Sequence, residues 1–221
     1  MKKYIIVALL FAAIAMGAGW LFRQSGITHT RHFQNLPWQL TLNERQHLSV
    51  FGLTLDESRL QDAVDHWGHF PEIGQFESGN GEQVIEAYFE KVRLGPLDVK
   101  AIARIAVSAE KMAEFNQRHI NRTPGPSGDF KYELIESDIA QVLELPVTEL
   151  TYIPKVKIDE NFMKLRFGEP AERRELSEQR SLWLYPKKGL AVIIDAHGRD
   201  IFQYINPDKF TNLRQRLSTL E

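Results

Sequence analysis

Two short stretches of the chain gather residue types that could do chemistry. The first is Asp65-His66-Trp67-Gly68-His69, with Glu72 shortly after it. Imidazole nitrogens and a carboxylate are zinc-ligand types, so His66, His69 and Glu72 could serve a metal-dependent hydrolase. Gly68 stands between the two histidines, however, and a glycine there ends a helix before both can share a face. A polar helix terminus, with a histidine against the last carbonyls, accounts for the same residues and takes precedence. The second stretch holds Asp195, His197 and Asp200. A carboxylate-oriented histidine is the usual general base, but a hairpin tip needs Asp and Gly for its own geometry. The chain has no Gly-x-Ser-x-Gly, no Gly-Lys-Ser/Thr after its glycine-rich turns, and no cysteine. Nucleophile elbows, phosphate loops, thiol catalysis, thiolate metal sites and disulfides are thereby excluded. The expectation is a non-catalytic protein with no cofactor and no metal.

The elements that must position these residues are clearest between Asp159 and Asn206. Ile158, Phe162 and Leu165 recur at i, i+4 and i+7 on one face of a short helix, which Gly168 and Pro170 end. Strand-like runs follow at 172–178, 181–185, 190–195 and 200–205, separated by Pro186-Lys187-Lys188-Gly189 and His197-Gly198-Arg199. This is a helix on an antiparallel meander. Asn206 with Pro207 predicts the cap and first turn of a last helix, striped by Phe210, Leu213, Leu217 and Leu220.

An earlier stretch has the same order. Thr54 and Glu57 form a capping-box pattern, and Leu60, Ala63, Val64 and Trp67 line a helix ending at Gly68. Strands are expected at 72–78, 83–92 and 97–107, with Gly79-Asn80-Gly81 as a tight turn. Leu55-Asp56-Glu57 corresponds to Ile158-Asp159-Glu160, and each helix is followed by a glycine, a proline and strands. Either the chain contains an internal duplication, or a common α+β order occurs twice. Helices are expected at 108–119 and 137–145. Residues 121–128, with two prolines and two glycines, read as the linker between a first unit at 51–120 and a second at 129–221. Residues 24–50 read as a tether with short strands. The fold class is α+β.

The bulk numbers bound the rest. A chain of 221 residues with 43% hydrophobic and 25% charged residues is globular, one generous domain or two small ones. Its 27 basic and 29 acidic residues are interleaved, as in Glu172-Arg173-Arg174-Glu175, and the net charge of −2 argues against nucleic acid. Lys2 and Lys3 precede an apolar run from Tyr4 to Phe22, roughly 28 Å as a helix and close to the ~30 Å hydrocarbon core of a bilayer. The run predicts a signal anchor (1–23) retained in the inner membrane, single-pass, with the C-terminal body periplasmic by the positive-inside rule. Cleavage after Ala13-Ile14-Ala15 and secretion to the periplasm is the alternative, less favoured because it leaves a very short apolar region.

Phe167-Gly168-Glu169-Pro170, Trp183-Leu184-Tyr185-Pro186 and the run from Leu190 to Gly198 resemble the small envelope lipoproteins of the SmpA/OmlA (BamE) type. There a helix ends in Gly-x-Pro, a strand carries Trp-x-Tyr, and the next strand ends at an acidic residue before a glycine turn. The related β-lactamase-inhibitor-protein fold repeats such a unit twice. Those lipoproteins attach through a lipidated cysteine, which this chain lacks. The resemblance implies a non-catalytic adaptor surface. Trp183 and Tyr185 alternate with Leu182 and Leu184, so if the leucines meet a helix the aromatics face the other way, against the first unit or a partner. With Tyr88, they are the candidate binding surface. The expected function is a membrane-anchored periplasmic binding or scaffolding protein with a protein partner in the envelope. A metal-dependent hydrolase and an inhibitor-like protein are the alternatives.

Overall fold

The computed structural model describes residues 35–94, 97–125 and 129–218. The apolar run at 4–22, its expected anchor role and its cleavage alternative lie outside them. No helix among the described residues is long and apolar enough to cross a membrane.

The α+β class holds, but the two expected units share one sheet. Ten strands run in the order β10-β11-β12-β13-β9-β6-β5-β4-β8-β7. The strands are β4 (Glu72–Glu77), β5 (Gln83–Leu94), β6 (Leu97–Ile105), β7 (Arg122–Pro124), β8 (Phe130–Tyr132), β9 (Val147–Pro154), β10 (Glu172–Ser177), β11 (Arg180–Tyr185), β12 (Leu190–Asp195) and β13 (Ile201–Ile205). A separate three-stranded sheet joins β1 (Thr41–Leu42), β2 (Leu48–Val50) and β3 (Leu53–Thr54), so the second half of the expected tether is folded. The helices are α1 (Leu60–Trp67), α2 (Ala109–Asn116), α3 (Glu136–Leu143), α4 (Glu160–Phe167) and α5 (Phe210–Leu217).

The sheet is two-fold in its order. Helix α1 leads into β4-β5-β6, and α4 leads into β10-β11-β12. β9 closes the first set and β13 the second, and these two strands pair antiparallel at the centre, with Gln203 opposite Thr151. Both helices end at a glycine of positive φ, 68° at Gly68 and 78° at Gly168, but only Gly68 is left-handed helical; ψ at Gly168 is −173°.

Each strand sends alternate residues to opposite faces. On one face Ile85, Ala87 and Phe89 of β5, Val99, Ala101 and Ala103 of β6, Leu150 and Tyr152 of β9, and Phe202 and Tyr204 of β13 are buried. They pack with Leu60, Ala63 and Trp67 of α1, Phe115 of α2, Val142 of α3, Met163 and Phe167 of α4, and Phe51 from the small sheet. On the other face α5 lays Phe210, Leu213 and Leu217 over Leu182, Leu184, Ala191, Ile193 and Ile205, so it covers only the β10–β13 half.

Three local expectations change. Residues 121–128 are not all linker, because Arg122–Pro124 is the edge strand β7, a position where proline costs no ladder bond. The capping box at Thr54 and Glu57 does not form. The chain from Leu55 to Arg59 instead pairs with the start of β9, Asp56 N–H donating to Val147 C=O (2.7 Å) and Val147 N–H to Ser58 C=O (2.9 Å). The helix therefore begins at Leu60, after Arg59, whose N–H donates to Asp62 (2.7 Å). Glu57 turns away and accepts from Asn43 and His47. Asn206 precedes a 3₁₀ turn, Pro207–Lys209, without capping it by its side chain, which lies buried in the core.

Candidate functional site

The half of the second face left bare by α5 is built from β4, β5, β6 and β9. Register places Phe76 opposite Val84 and Gly74 opposite Glu86. It also places Tyr88 opposite Ile102, and Glu86 opposite Arg104. Arg104 in turn faces Glu149 across β6 and β9. This floor alternates half-buried apolar and charged side chains.

Three adjoining hollows of about 240, 270 and 210 Å³ mark it, and Glu86 lines all of them. The first, beside Phe76, Tyr88, Ile102 and Lys131, exists because Gly74 has no side chain. A Cβ there would come 3.1 Å from Lys131 Cε and 3.2 Å from the Phe76 ring.

Ion pairs rim the floor. The Lys131 ammonium pairs with Glu72, and Lys100 donates to Tyr88 Oη (2.7 Å) and Glu90 (2.9 Å). The Tyr88 hydroxyl donates to Glu90, and these bonds from Tyr88 and Lys100 hold the Glu90 carboxyl below its ordinary range. Arg104 binds Glu82 (2.7 Å) and reaches Glu149 (3.9 Å), which also takes Arg216 of α5 (2.5 Å). Glu86 sits among them. Burial pushes its carboxyl above the ordinary range, opposed by the nearby Arg104 and reinforced by Glu149. The Gln203 side-chain oxygen beside this group is buried and meets no hydrogen-bond donor among the described residues.

The sequence-derived candidates are distributed elsewhere, with one exception. Tyr88 lies on the bare floor. Trp183 and Tyr185 do not form a binding surface: both are buried, Trp183 completely. They face α4, and Lys164 of that helix and Arg173 of β10 cap the Trp183 ring at 5.9 and 5.2 Å. Tyr185 packs on Phe167, donates to Gly168 C=O (3.2 Å), and burial pushes its hydroxyl up to about 12. The reason is the side of the sheet: the leucines between them meet α5, so the aromatics meet the core.

His66, His69 and Glu72 do not converge. His66 hydrogen-bonds Asn35 (2.9 Å) and packs its ring on Gly52, Glu72 is engaged by Lys131, and left-handed Gly68 turns the chain between the histidines. Among the described residues no group of three or more His, Asp or Glu is placed to hold a metal. Asp195 and Asp200 are a turn clamp. Asp195 accepts from the His197 and Gly198 N–H groups, which hold its carboxyl below the ordinary range. Buried Asp200 accepts from Ile158 N–H (3.1 Å), Asp195 N–H (3.3 Å) and Lys157 (3.2 Å).

Glu86, Arg104, Glu149 and Arg216 were not singled out by sequence. The signal of Glu86 and Arg104 is the polar half of the alternation in β5 and β6, legible only once it is known that no helix among the described residues covers that half. Comparison with known proteins finds no matching family model, curated protein or solved structure.

Proposed function

We propose that the chain is a membrane-anchored protein of the bacterial envelope, its body periplasmic, that binds a protein or another envelope component across the bare sheet floor without catalysing a reaction. The observation that carries this reading is the asymmetry of the second face. α5 seals one half with three large apolar side chains, while Phe76, Val84, Tyr88 and Ile102 on the other half remain half-buried and rimmed by ion pairs. An apolar floor with a charged rim is the general anatomy of a recognition surface. Residues 4–22 supply the anchor in this reading. The doubled order of helix and four strands supports an origin by internal duplication. Together with the Gly-x-Pro exit of α4, it also supports kinship with the SmpA/OmlA-type lipoproteins and the β-lactamase-inhibitor-protein fold.

A photo-crosslinking side chain placed at position 88 or 102 of the full chain, in intact cells, tests it. Discrete adducts are expected from both positions and none from position 80, an exposed turn between β4 and β5. Equal adducts at all three, or none at any, would remove the floor from consideration.

A further inference from the structure

Helix α4 buries Met163 and Phe167 toward the core and leaves Leu165 76% exposed, the most exposed large apolar side chain among the described residues. Phe162, Leu165 and Arg166 share one face of that helix by their spacing. The Phe162 ring meets Trp38 edge-on at 5.0 Å, and the Arg166 guanidinium lies 5.0 Å from the Trp38 centroid and 5.1 Å from that of Phe162. The neighbouring cations are matched by acids: Lys164 by Glu169, and Arg173 by Glu160 and Glu175. Arg166 pairs with no carboxylate among the described residues, so this aromatic and aliphatic patch carries one uncompensated positive charge.

Its position along the chain says what covers it. Trp38 follows closely on Asn35, the first described residue, and the apolar run ends at Phe22. The stretch between Phe22 and Asn35 can span at most about 45 Å by its length. The patch therefore sits where the tether arrives. Tryptophan, phenylalanine and leucine beside an arginine match the chemistry of a bilayer interface: rings and aliphatic groups at headgroup depth, guanidinium on phosphate. One such patch, with a single basic residue on an anionic leaflet, is too small to hold a free protein. A short tether raises the effective concentration to about millimolar, where a weak contact is enough to orient the body.

We infer that Trp38, Phe162, Leu165 and Arg166 dock the body on the anionic lipid surface of the membrane that holds residues 4–22. The inference rests on the anchor reading above. The cysteine-free sequence permits a clean test. The full chain, carrying one fluorophore at Leu165→Cys, Asn161→Cys or Asn80→Cys, is reconstituted into vesicles of phosphatidylethanolamine and phosphatidylglycerol containing a headgroup quencher. Quenching should be severalfold stronger at positions 161 and 165 than at 80. Adding Leu165→Asp and Arg166→Glu to the Asn161→Cys chain should bring it down to the level at 80. If the chain floats with the vesicles but all three labels are quenched alike, the docking surface is wrong and the anchor stands. If the chain does not float, both fall.

Discussion

Asn206 joins three parts of the chain from a fully buried position. Its side-chain oxygen accepts from Leu48 N–H (2.7 Å), and its amide donates to Asp56 Oδ2 (2.6 Å) and approaches Leu55 C=O (3.4 Å). Asn206→Ala strands Leu48 N–H and withdraws a donor from Asp56, two losses that together cost about 2–4 kcal/mol. The urea midpoint should fall by the corresponding amount with the slope unchanged. Sequence marks Asn206 as a polar residue before Pro207 and assigns it a cap; its burial depends on the small sheet at 41–54, which no local pattern around 206 reveals. Glu86 makes a second prediction at this scale. Its carboxyl is raised in the folded protein, so between the ordinary carboxylate range and the raised value the folded state binds the extra proton. Stability from this group is full at low pH and is lost as pH rises through that interval. Glu86→Gln should therefore be more stable than the parent at neutral pH and close to it in acid. Thermal melts across pH check the sign, and a variant less stable at neutral pH would show that Arg104 dominates.

At the scale of elements, α5 is an amphipathic helix whose task follows from its stripe. Phe210, Leu213 and Leu217 are buried, while Gln215 points to solvent. Leu213→Ala should cost about 2–4 kcal/mol through the cavity it leaves. Gln215→Ala should fall within about 0.5 kcal/mol of the parent. Denaturant titration of the pair tests whether α5 seals its half of the face or merely rests on it. Most elements of this kind were legible. α1 and the strands β4–β6 and β10–β13 lie within a few residues of their expected places, because each has a periodic stripe and a glycine or turn at its end; α4 is marked by its glycine exit alone, since it buries Met163 and Phe167 and leaves Leu165 of the expected stripe exposed. The strand at the centre of the sheet, β9, escaped notice for a physical reason. Val147 and Leu150 both face the core, three positions apart, because Arg104 pairs with Glu149 and Ile105 with Val147, leaving Thr148 as an extra residue in a bulge. The bulge breaks the alternation by which a strand is recognised. β7 escaped because proline and glycine read as a linker wherever they cluster, although a sheet edge tolerates them.

Over the whole molecule, the missing central strand changes the architecture. Without β9, the chain divides into two helix-and-meander units joined by residues 121–128. With it, β6 and β13 are bridged, and one side of the sheet becomes a single core running from Trp67 and Phe89 in the first half to Phe167 and Tyr185 in the second. Phe51 sits at the seam, stacked on Tyr152 at 5.0 Å and edge-on to Tyr204 at 5.5 Å, so the small sheet also belongs to both halves. Among the described residues, which belong to one compact unit, no boundary exists along which few contacts cross, which is the condition for a domain to open by itself. Unfolding should therefore be one cooperative transition. Trp67 reports on the first half and Trp183 on the second. Their fluorescence, followed separately in two chains that each keep one of them and replace the other three of the four tryptophans by phenylalanine, should change with the same midpoint relative to far-ultraviolet circular dichroism recorded on each chain. Leu150→Ala, which hollows the central strand, should lower both midpoints together. Two separated transitions, or a Leu150→Ala effect confined to one tryptophan, would mean that the halves fold as independent units and that the central pairing of β9 with β13 contributes little.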